Sequence, residues 1–397
     1  MKLAFVSNFL NHHQLPICEE FVKLTEGNFT FVAFTPVPGD RLSLGYYDMN
    51  NEYPFVIRAY ESDAEMEKGY RVAEEADVLV VGGIHDPIAH TFIEPRTKAG
   101  KISFWYCERR YKRGLWRALS PKNLSIIKNC HNAHKFDKVY MLCASAYTAW
   151  DYGITRSYIN KTFKWGYFPK VERCDIDELI AQKHQDDKTK IMWCARFVPL
   201  KHPETMLALG KRLKKDGANF VIEMVGNGEM LDEFKERVEN EDLSDEIHIL
   251  GSMSPEAVRE RMKAANIFIF TSDFNEGWGA VLNESMNSAC AVISGYAIGS
   301  TPFLISHGNN GFVYKTGSDE SIYNAVKSLI DNPALCDEMG RRAYETMLNE
   351  WSPEAAAARF VTLATNLAVG KETPYESGPC SKASRISQHK MYRYLIK

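Results

Sequence analysis

Residues 266–294 read NIFIFTSDFNEGWGAVLNESMNSACAVIS, and this stretch decides the fold class. Ile267–Phe270 is a short apolar run, a polar loop with two glycines follows it, and a helical pattern begins at Ala280. A second apolar run, Ala291–Ser294, closes the stretch. Short apolar runs joined through a helix are typical of neighbouring strands in a parallel sheet covered on both faces. The stretch therefore predicts an α/β domain.

The same alternation of apolar runs and helical patterns continues on both sides of this stretch. It predicts two doubly wound, Rossmann-like parallel-sheet domains that face each other across a cleft. A polar segment at 175–190 separates them, so the boundary is expected near 169–186, with residues 1–170 in the first domain and 186–369 in the second. Ligands of such sheets bind beyond the carboxyl ends of the strands. The residues just after each strand are therefore the candidates for function.

The predicted elements are short, as this class of fold requires. The predicted strands are Leu3–Val6, Thr30–Phe34, Val78–Val81, Ile102–Tyr106, Lys138–Leu142, Phe163–Tyr167, Ile191–Cys194, Phe220–Val225, Ile247–Leu250, Ile267–Phe270, Ala291–Ser294 and Phe312–Tyr314. The predicted helices are His13–Leu24, Asp63–Glu75, Pro121–His134, Glu204–Lys215, Glu229–Asn240, Glu256–Ala264, Ala280–Ser288 and Ser321–Leu329.

The composition excludes several classes of protein. The 397-residue chain carries 48 Lys and Arg against 51 Asp and Glu, a formal net charge of −3, which disfavours a nucleic-acid partner. The nine cysteines include no C-x-x-C pair, and we interpret them as reduced thiols of a cytoplasmic protein. No apolar run approaches the ~20 residues of a membrane span, and the first apolar run is too short for a signal peptide.

Two carboxylates flank the glycine loop of the opening stretch. Gly277 and Gly279 allow the backbone to approach a ligand closely, and the start of a helix favours an anion. Glu276 precedes the helix, and Glu284 lies about one and a half turns inside it. Carboxylates suit the hydroxyl groups of sugars joined to a phosphate rather than the phosphate itself. Acidic residues also serve the helix dipole and solubility, so the loop alone leaves both interpretations open.

Two cations follow another predicted strand. Arg196 and Lys201 lie just beyond Ile191–Cys194, five positions apart. Arg can hold a phosphate through two hydrogen bonds and Lys adds a point charge, so the pair can neutralise a diphosphate without a metal. Solvated surface cations are the alternative interpretation. A third turn, residues 226–228, lacks the last glycine of a dinucleotide fingerprint, since Leu231 stands there.

Four motifs follow one another in the second half of the chain. They are Arg196-x4-Lys201, Gly226-Asn227-Gly228, the HILGSM run at 248–253 and Glu276-x7-Glu284. Their order at the strand ends resembles the C-terminal half of a family 4 glycosyltransferase of the GT-B fold, strongly over about 186–365. The resemblance implies transfer of a sugar, with retention, from a nucleotide diphosphate donor to an acceptor hydroxyl. A UDP-sugar donor and a role in polysaccharide or glycolipid synthesis are expected.

The resemblance also implies roles for the matching residues. Glu276 would contact the donor sugar as a catalytic residue. The set implied for the donor diphosphate is Arg196, Lys201, Gly277, Trp278 and Gly279, where the glycine loop acts through its backbone. The set implied for the donor nucleoside is Glu284, Gly226, Asn227 and Met253. No metal and no other cofactor is expected.

The first half is then expected to bind the acceptor, a glycan or a lipid-linked glycan. His12 and His13 follow the first strand and are acceptor-side candidates, although this segment also resembles the start of a helix. His85, which follows Val78–Val81, is a catalytic candidate or an ordinary loop histidine. Many relatives carry a glycine-rich loop after the first strand, and this chain does not.

Glu108 follows the predicted strand Ile102–Tyr106 and has two possible roles. It either takes part in catalysis, by stabilising positive charge at the reacting sugar or by orienting the acceptor hydroxyl, or it pairs with Arg109 or Arg110. Arg109 is itself an acceptor-side candidate.

A cluster of basic and aromatic residues suggests where the protein works. Five cations lie within nine positions, interleaved with Tyr111 and Trp116: Arg109, Arg110, Lys112, Arg113 and Arg117. The tail at 370–397 is also basic and is expected to pack on the first domain. Both features predict peripheral contact with an anionic membrane, at its cytoplasmic face. An anionic soluble acceptor and a solvated loop are the alternatives.

Two other functions fit the same motifs. A nucleotide-sugar 2-epimerase keeps the fold and changes the reaction, and a non-catalytic nucleotide-sugar binding protein keeps the donor site only. Nucleotide diphosphate release that depends on an acceptor distinguishes a transferase from both.

Overall fold

The computed structural model describes residues 1–39 and 47–397. These residues form two compact units, each built on a parallel sheet. The first unit comprises Met1–Lys170 and Trp351–Ile386, and the second comprises Val171–Glu350 and Ser387–Lys397. Both units are Rossmann-like α/β structures, which confirms the predicted fold class.

The first unit contains a seven-stranded parallel sheet with the order β3-β2-β1-β4-β5-β6-β7. Its strands are mostly buried because helices cover both faces, so continuous apolar runs mark them in the sequence. The order reverses between β1 and β4, which creates a switch point where the loops of both strands end at one edge. The elements are β1 Leu3–Ser7, α1 Leu15–Leu24, β2 Phe29–Ala33, β3 Val56–Arg58, α2 Asp63–Glu75, β4 Val78–Gly82, α3 Asp86–Lys98, β5 Ile102–Cys107, α4 Pro121–Ile126, β6 Val139–Cys143, α5 Thr148–Gly153 and β7 Thr162–Lys164.

The second unit contains a six-stranded parallel sheet with the order β10-β9-β8-β11-β12-β13. Its switch point lies between β8 and β11, the strands that precede the cation pair and the acidic glycine loop. The elements are α6 Ile176–Gln182, β8 Thr189–Cys194, α7 Glu204–Lys215, β9 Phe220–Val225, α8 Leu231–Asn240, β10 Ile247–Gly251, α9 Pro255–Ala264, β11 Ile267–Phe270, α10 Val281–Asn287, β12 Ala291–Gly295, α11 Thr301–Leu304, β13 Phe312–Tyr314, α12 Asp319–Ile330 and α13 Pro333–Asn349.

The last two helices are α14 Pro353–Ala368 and α15 Gln388–Leu395. Each belongs to a different unit from the one that the sequence predicted for its residues. Helix α14 was expected in the second domain but packs in the first, where the Phe360 ring lies 5.4 Å from that of Phe21 and 5.0 Å from that of Phe104. Helix α15 belongs to the second unit, while residues 370–386 of the expected tail belong to the first. The sequence of a helix does not show which unit it will pack against.

Predicted elements are confirmed wherever the apolar run is strong. Each predicted strand is present, the largest change being at β7, which is shorter and ends at Lys164. The three-residue edge strand β3 was missed, and so was α3, which carries Pro95 in its interior. The other helices absent from the prediction are α5, α6, α11, α13, α14 and α15. The predicted helix Pro121–His134 is shorter, since α4 gives way to a π-helical turn at Ile127–His131. Among the described residues, no helix combines the length and apolar character that crossing a bilayer requires.

Candidate active site

The loops after β8 and β11 meet at the switch point of the second unit. Lys201 Nζ donates to a carboxylate oxygen of Glu276 in a hydrogen-bonded ion pair. Behind the pair, the Thr271 hydroxyl donates to the Lys201 carbonyl and accepts a 2.8 Å hydrogen bond from the Trp193 indole. The resemblance implies that Lys201 binds the diphosphate and that Glu276 binds the sugar. These two side chains are therefore joined directly by a hydrogen-bonded ion pair within the second unit.

Arg196 differs from Lys201 in its environment. Its side chain is exposed just beyond the end of β8, and no carboxylate of the described residues forms an ion pair with it. Lys201 by contrast is mostly buried, with 14% of its side chain exposed, and its charge is matched by Glu276. The two predicted cations therefore leave about one positive charge uncompensated at this edge of the sheet.

Glycines shape this site by packing as well as by ligand access. Gly279 has a φ of +84°, and a Cβ there would lie 2.4 Å from the Phe270 ring. Gly226 has a φ of +140°, and a Cβ there would lie 1.9 Å from the Ala195 carbonyl oxygen. Both positions therefore require glycine for the loops to close on neighbouring strands, a reason that the sequence did not reveal.

The Trp278 side chain is buried in the core, so any ligand role of this segment belongs to its backbone, as the sequence analysis expects. Its side chain is fully buried, and the indole N–H donates a 2.9 Å hydrogen bond to Asn283. The Ser300 hydroxyl donates to the Trp278 carbonyl over 2.6 Å. The indole thus anchors the loop in the core. Helix α10, which follows, spans only Val281–Asn287.

The nucleoside-side candidates come from two adjoining turns and α10. The Gly226 N–H donates to the Gly251 carbonyl over 2.8 Å, which joins the turn that carries Asn227 to the one that carries Met253. Glu284 on α10 lies 3.8 Å from a guanidinium nitrogen of Arg259. Burial raises the pKa of Glu284, and the charge of Arg259 opposes that rise.

The first unit carries a cavity of about 560 Å³ at its own switch point, between the ends of β1 and β4. Of the sequence candidates, His13, Glu108 and Arg109 line it, whereas His12 and His85 do not. His85 is exposed at the N-cap of α3. The lining residues are Ser7, Asn8, Phe9, Asn11, His13, Gln14, Gly83, Asp86, Tyr106, Cys107, Glu108, Arg109, Arg110, Tyr152 and Tyr167.

Glu108 is held on both of its oxygens. The Tyr167 hydroxyl donates to Oε1 over 2.5 Å, and Lys112 Nζ donates to Oε2 in an ion pair. The His13 ring stacks on Tyr167 with 5.6 Å between centroids. Lys112 and Tyr167 are therefore the partners of Glu108, whereas Arg110 forms its ion pair with Asp86.

A second carboxylate in the cavity was missed by the sequence analysis. Asp86 forms an ion pair with Arg110, and His131 Nε2 lies within 3.5 Å of it. Burial by itself would raise the pKa of Asp86, but His131 and Arg110 outweigh it and lower that pKa to about 2. In the sequence, Asp86 stands shortly after a predicted strand, a position at which only its neighbour His85 was named as a candidate.

Arg109 is a buried part of the cavity wall rather than a surface cation. It is 4% exposed, its guanidinium lies 3.5 Å from Asp151, and it stacks 4.9 Å over the Tyr147 ring. The Tyr111 N–H donates to the same carboxylate over 2.9 Å. Three of the five clustered cations therefore face carboxylates: Arg109, Arg110 and Lys112.

The fold and the two switch-point sites define a GT-B protein, with two Rossmann-like units in one chain. A crystal structure of Anabaena Alr3699/HepE in complex with UDP has this fold, with a TM-score of 0.66. The match covers 91% of this chain and all of that one, at 14% identity.

Residues 175–346 match the family model described as glycosyl transferases group 1. The match lies within the second unit, Val171–Glu350.

Curated relatives are similar over part of the chain. N-acetyl-alpha-D-glucosaminyl L-malate synthase of Bacillus anthracis is 26% identical over 141 residues, or 35% of this chain. Poly(ribitol-phosphate) alpha-N-acetylglucosaminyltransferase of Staphylococcus aureus is 22% identical over 185 residues, or 46% of this chain. The matched segment spans 36% of the length of each relative.

Proposed function

We propose that the protein is a retaining glycosyltransferase of family 4 that moves a sugar from a UDP-sugar to an acceptor hydroxyl. The observation that carries the proposal is the Lys201–Glu276 ion pair at the second switch point, beside exposed Arg196. A cation for the diphosphate and a carboxylate for the sugar belong next to each other, because the bond that breaks joins the two groups.

The donor site works by electrostatics in this proposal. Arg196 meets the diphosphate with its unmatched charge, and Lys201 exchanges Glu276 for a phosphate oxygen. Charge grows on the departing phosphate as the sugar becomes oxocarbenium-like, and positioned cations stabilise that charge. Glu276, released from Lys201, holds the donor sugar hydroxyls, and Glu284 holds the ribose hydroxyls.

The transfer itself needs no separate strong base. The bond from the sugar C1 to the diphosphate oxygen breaks, and a bond from C1 to the acceptor oxygen forms on the same face. The acceptor proton passes to the departing phosphate oxygen. Glu108 orients the acceptor hydroxyl, because the Tyr167 and Lys112 contacts fix its carboxylate in the wall of the cavity.

One structural neighbour and two relatives support a particular donor. The Anabaena protein was crystallised with UDP, and the names of both curated relatives specify an alpha-linked N-acetylglucosaminyl group. UDP-N-acetylglucosamine is therefore the first member of a donor panel that also holds UDP-glucose, UDP-galactose and GDP-mannose.

The test is nucleotide diphosphate release from this panel with and without a mixture of glycan acceptors. Release that depends on acceptor, together with a new glycoside, is the expected result. A new sugar isomer without transfer identifies the 2-epimerase. Donor binding without any reaction identifies a binding protein.

We further propose that the protein contacts an anionic membrane at its cytoplasmic face. The wall of the cavity uses Arg109, but Arg113 is exposed, and Trp116 and Leu119 are 70% and 77% exposed. The Arg117 guanidinium lies 5.8 Å from the centre of the Trp116 ring. Exposed aromatic and basic groups side by side suit the interface of an anionic bilayer.

Vesicle sedimentation tests the membrane proposal. We expect binding to vesicles with about one third phosphatidylglycerol at low salt, and loss of it at high salt. Trp116→Ala should weaken it, while Phe136→Ala, another exposed aromatic in the same unit, serves as the control. No binding at low salt would leave a soluble acceptor as the better account.

A further inference from the structure

We propose that the cavity of the first unit binds an uncharged, polyhydroxylated acceptor, the neutral end of a glycan, and discriminates against phosphorylated or carboxylated ones. The inference rests on the proposed function and specifies the substrate class of its acceptor site. Its basis is the matched arrangement of charge around the cavity.

Each cation at the cavity faces a carboxylate of its own. Arg109 lies 3.5 Å from Asp151, Arg110 is paired with Asp86, and Lys112 is paired with Glu108. A cation whose partner lies this close has little field left for a third group, because the opposite charges cancel over distances longer than their separation. Counted over the described residues, the cavity wall is therefore close to electroneutral, although arginines line it.

An anion entering this cavity would meet the carboxylates of Asp86 and Glu108. The pKa of Asp86 lies at about 2, since His131 and Arg110 outweigh the effect of burial, so this carboxylate carries its charge at neutral pH. Glu108 offers a second carboxylate on the same wall. A phosphate would have to displace one of these groups from its cation and then lie beside it, which like charges disfavour.

A polyol fits the same wall without displacing anything. Its hydroxyl groups donate to the carboxylates of Asp86 and Glu108 and accept from the guanidinium of Arg110. The rings of Tyr106 and Tyr167 line the cavity and offer apolar surface to the C–H faces of a sugar. The volume, about 560 Å³, lies within the range of ~300–1,000 Å³ typical of small-molecule sites.

The test measures acceptor binding directly, with the full chain and saturating UDP. Probes are the methyl glycosides of glucose, galactose, mannose and N-acetylglucosamine, each beside its own 6-phosphate, and binding is followed by saturation-transfer NMR. We expect at least one neutral glycoside to bind at least about tenfold more tightly than its 6-phosphate.

A charge variant sharpens the test. Glu108→Gln leaves Lys112 without its carboxylate, so the preference for the neutral probe should shrink about threefold or more, through tighter binding of the 6-phosphate. Glu67→Gln, an exposed position on α2, makes the same chemical change outside the cavity and should leave the preference unchanged.

Three outcomes overturn the inference: tighter or equal binding of the 6-phosphate in every pair, binding of no probe, or identical behaviour of the two variants. UDP binding separates these from failure of the proposed function. If UDP binds and the acceptor preference is absent, the acceptor inference is wrong and the proposed donor site stands. If UDP itself does not bind, the proposed function is wrong.

Discussion

The two switch points of this protein are built alike and charged differently. In the second unit, Arg196 is exposed and forms no ion pair with a carboxylate of the described residues, whereas Lys201 is neutralised by Glu276. In the first, Arg109 and Arg110 each face a carboxylate. An excess of positive charge suits a diphosphate, and a balanced set suits hydroxyl groups. We propose that the same edge of the fold binds different ligands in the two units, according to which charges are left unmatched.

The largest expected effect is at the unmatched cation. Arg196→Ala should lower kcat/KM for the donor by about 30- to 900-fold, the ~2–4 kcal/mol lost when one transition-state donor is removed. Steady-state release of nucleotide diphosphate measures it. Arg71→Ala, an exposed arginine on α2, is the control and should be unchanged. Activity of the Arg196 variant within threefold of the wild type would refute its place at the diphosphate.

The next effect separates the two glutamates of the second unit. Glu276→Gln should lower kcat, because it removes the charge next to the reacting sugar. Glu284→Gln should mainly raise the donor KM, by the ~1.5–3 kcal/mol typical of a charged hydrogen bond, or about 10- to 150-fold. Full kinetic curves for both variants decide this. An identical change in both parameters for both variants would contradict the division of roles.

A smaller effect is expected in the first unit. Tyr167→Phe removes the hydroxyl that donates to Glu108, which loosens the carboxylate without changing any charge. The acceptor KM should rise about fivefold, as for the loss of a ~1 kcal/mol hydrogen bond, and the donor KM should stay the same. Tyr70→Phe, a tyrosine on α2 outside the cavity, is the matched control. A rise in the donor KM instead of the acceptor KM would contradict the assignment of acceptor binding to the first unit.

The smallest expected effect is that of metal removal. If Arg196 and Lys201 offset the diphosphate charge as proposed, EDTA should leave the transfer rate within about 20% of its untreated value, in keeping with electrostatic stabilisation by side chains. Dialysis followed by assay with and without added Mg²⁺ or Mn²⁺ checks this. Loss of activity that Mn²⁺ restores would mean that the cations of the second unit do not suffice.

The donor-side candidates of the second unit could be named from the sequence because each pair is local in the chain. Arg196 and Lys201 stand five positions apart on one loop, and Glu276 and Glu284 flank another. Each group follows a strand, and parallel strands end at one edge, so order along the chain translates directly into proximity. Lys201 and Glu276 are 75 positions apart, and the adjacency of β8 and β11 brings their loops to the same edge, where the two side chains form an ion pair.

The first unit shows what only the tertiary structure decides. Glu108 could be noticed in the sequence, but its partner Tyr167 is 59 positions away, and Arg109 meets Asp151 across 42. A run of basic residues does not show which of its side chains will be buried, because burial depends on elements further along the chain. Helix α14, which is absent from the predicted helices, makes the same point, because only packing assigns it to the first unit. The strand pattern and short-range motifs therefore determined the fold class and the donor-side candidates, while long-range pairing of charges determined the character of the cavity.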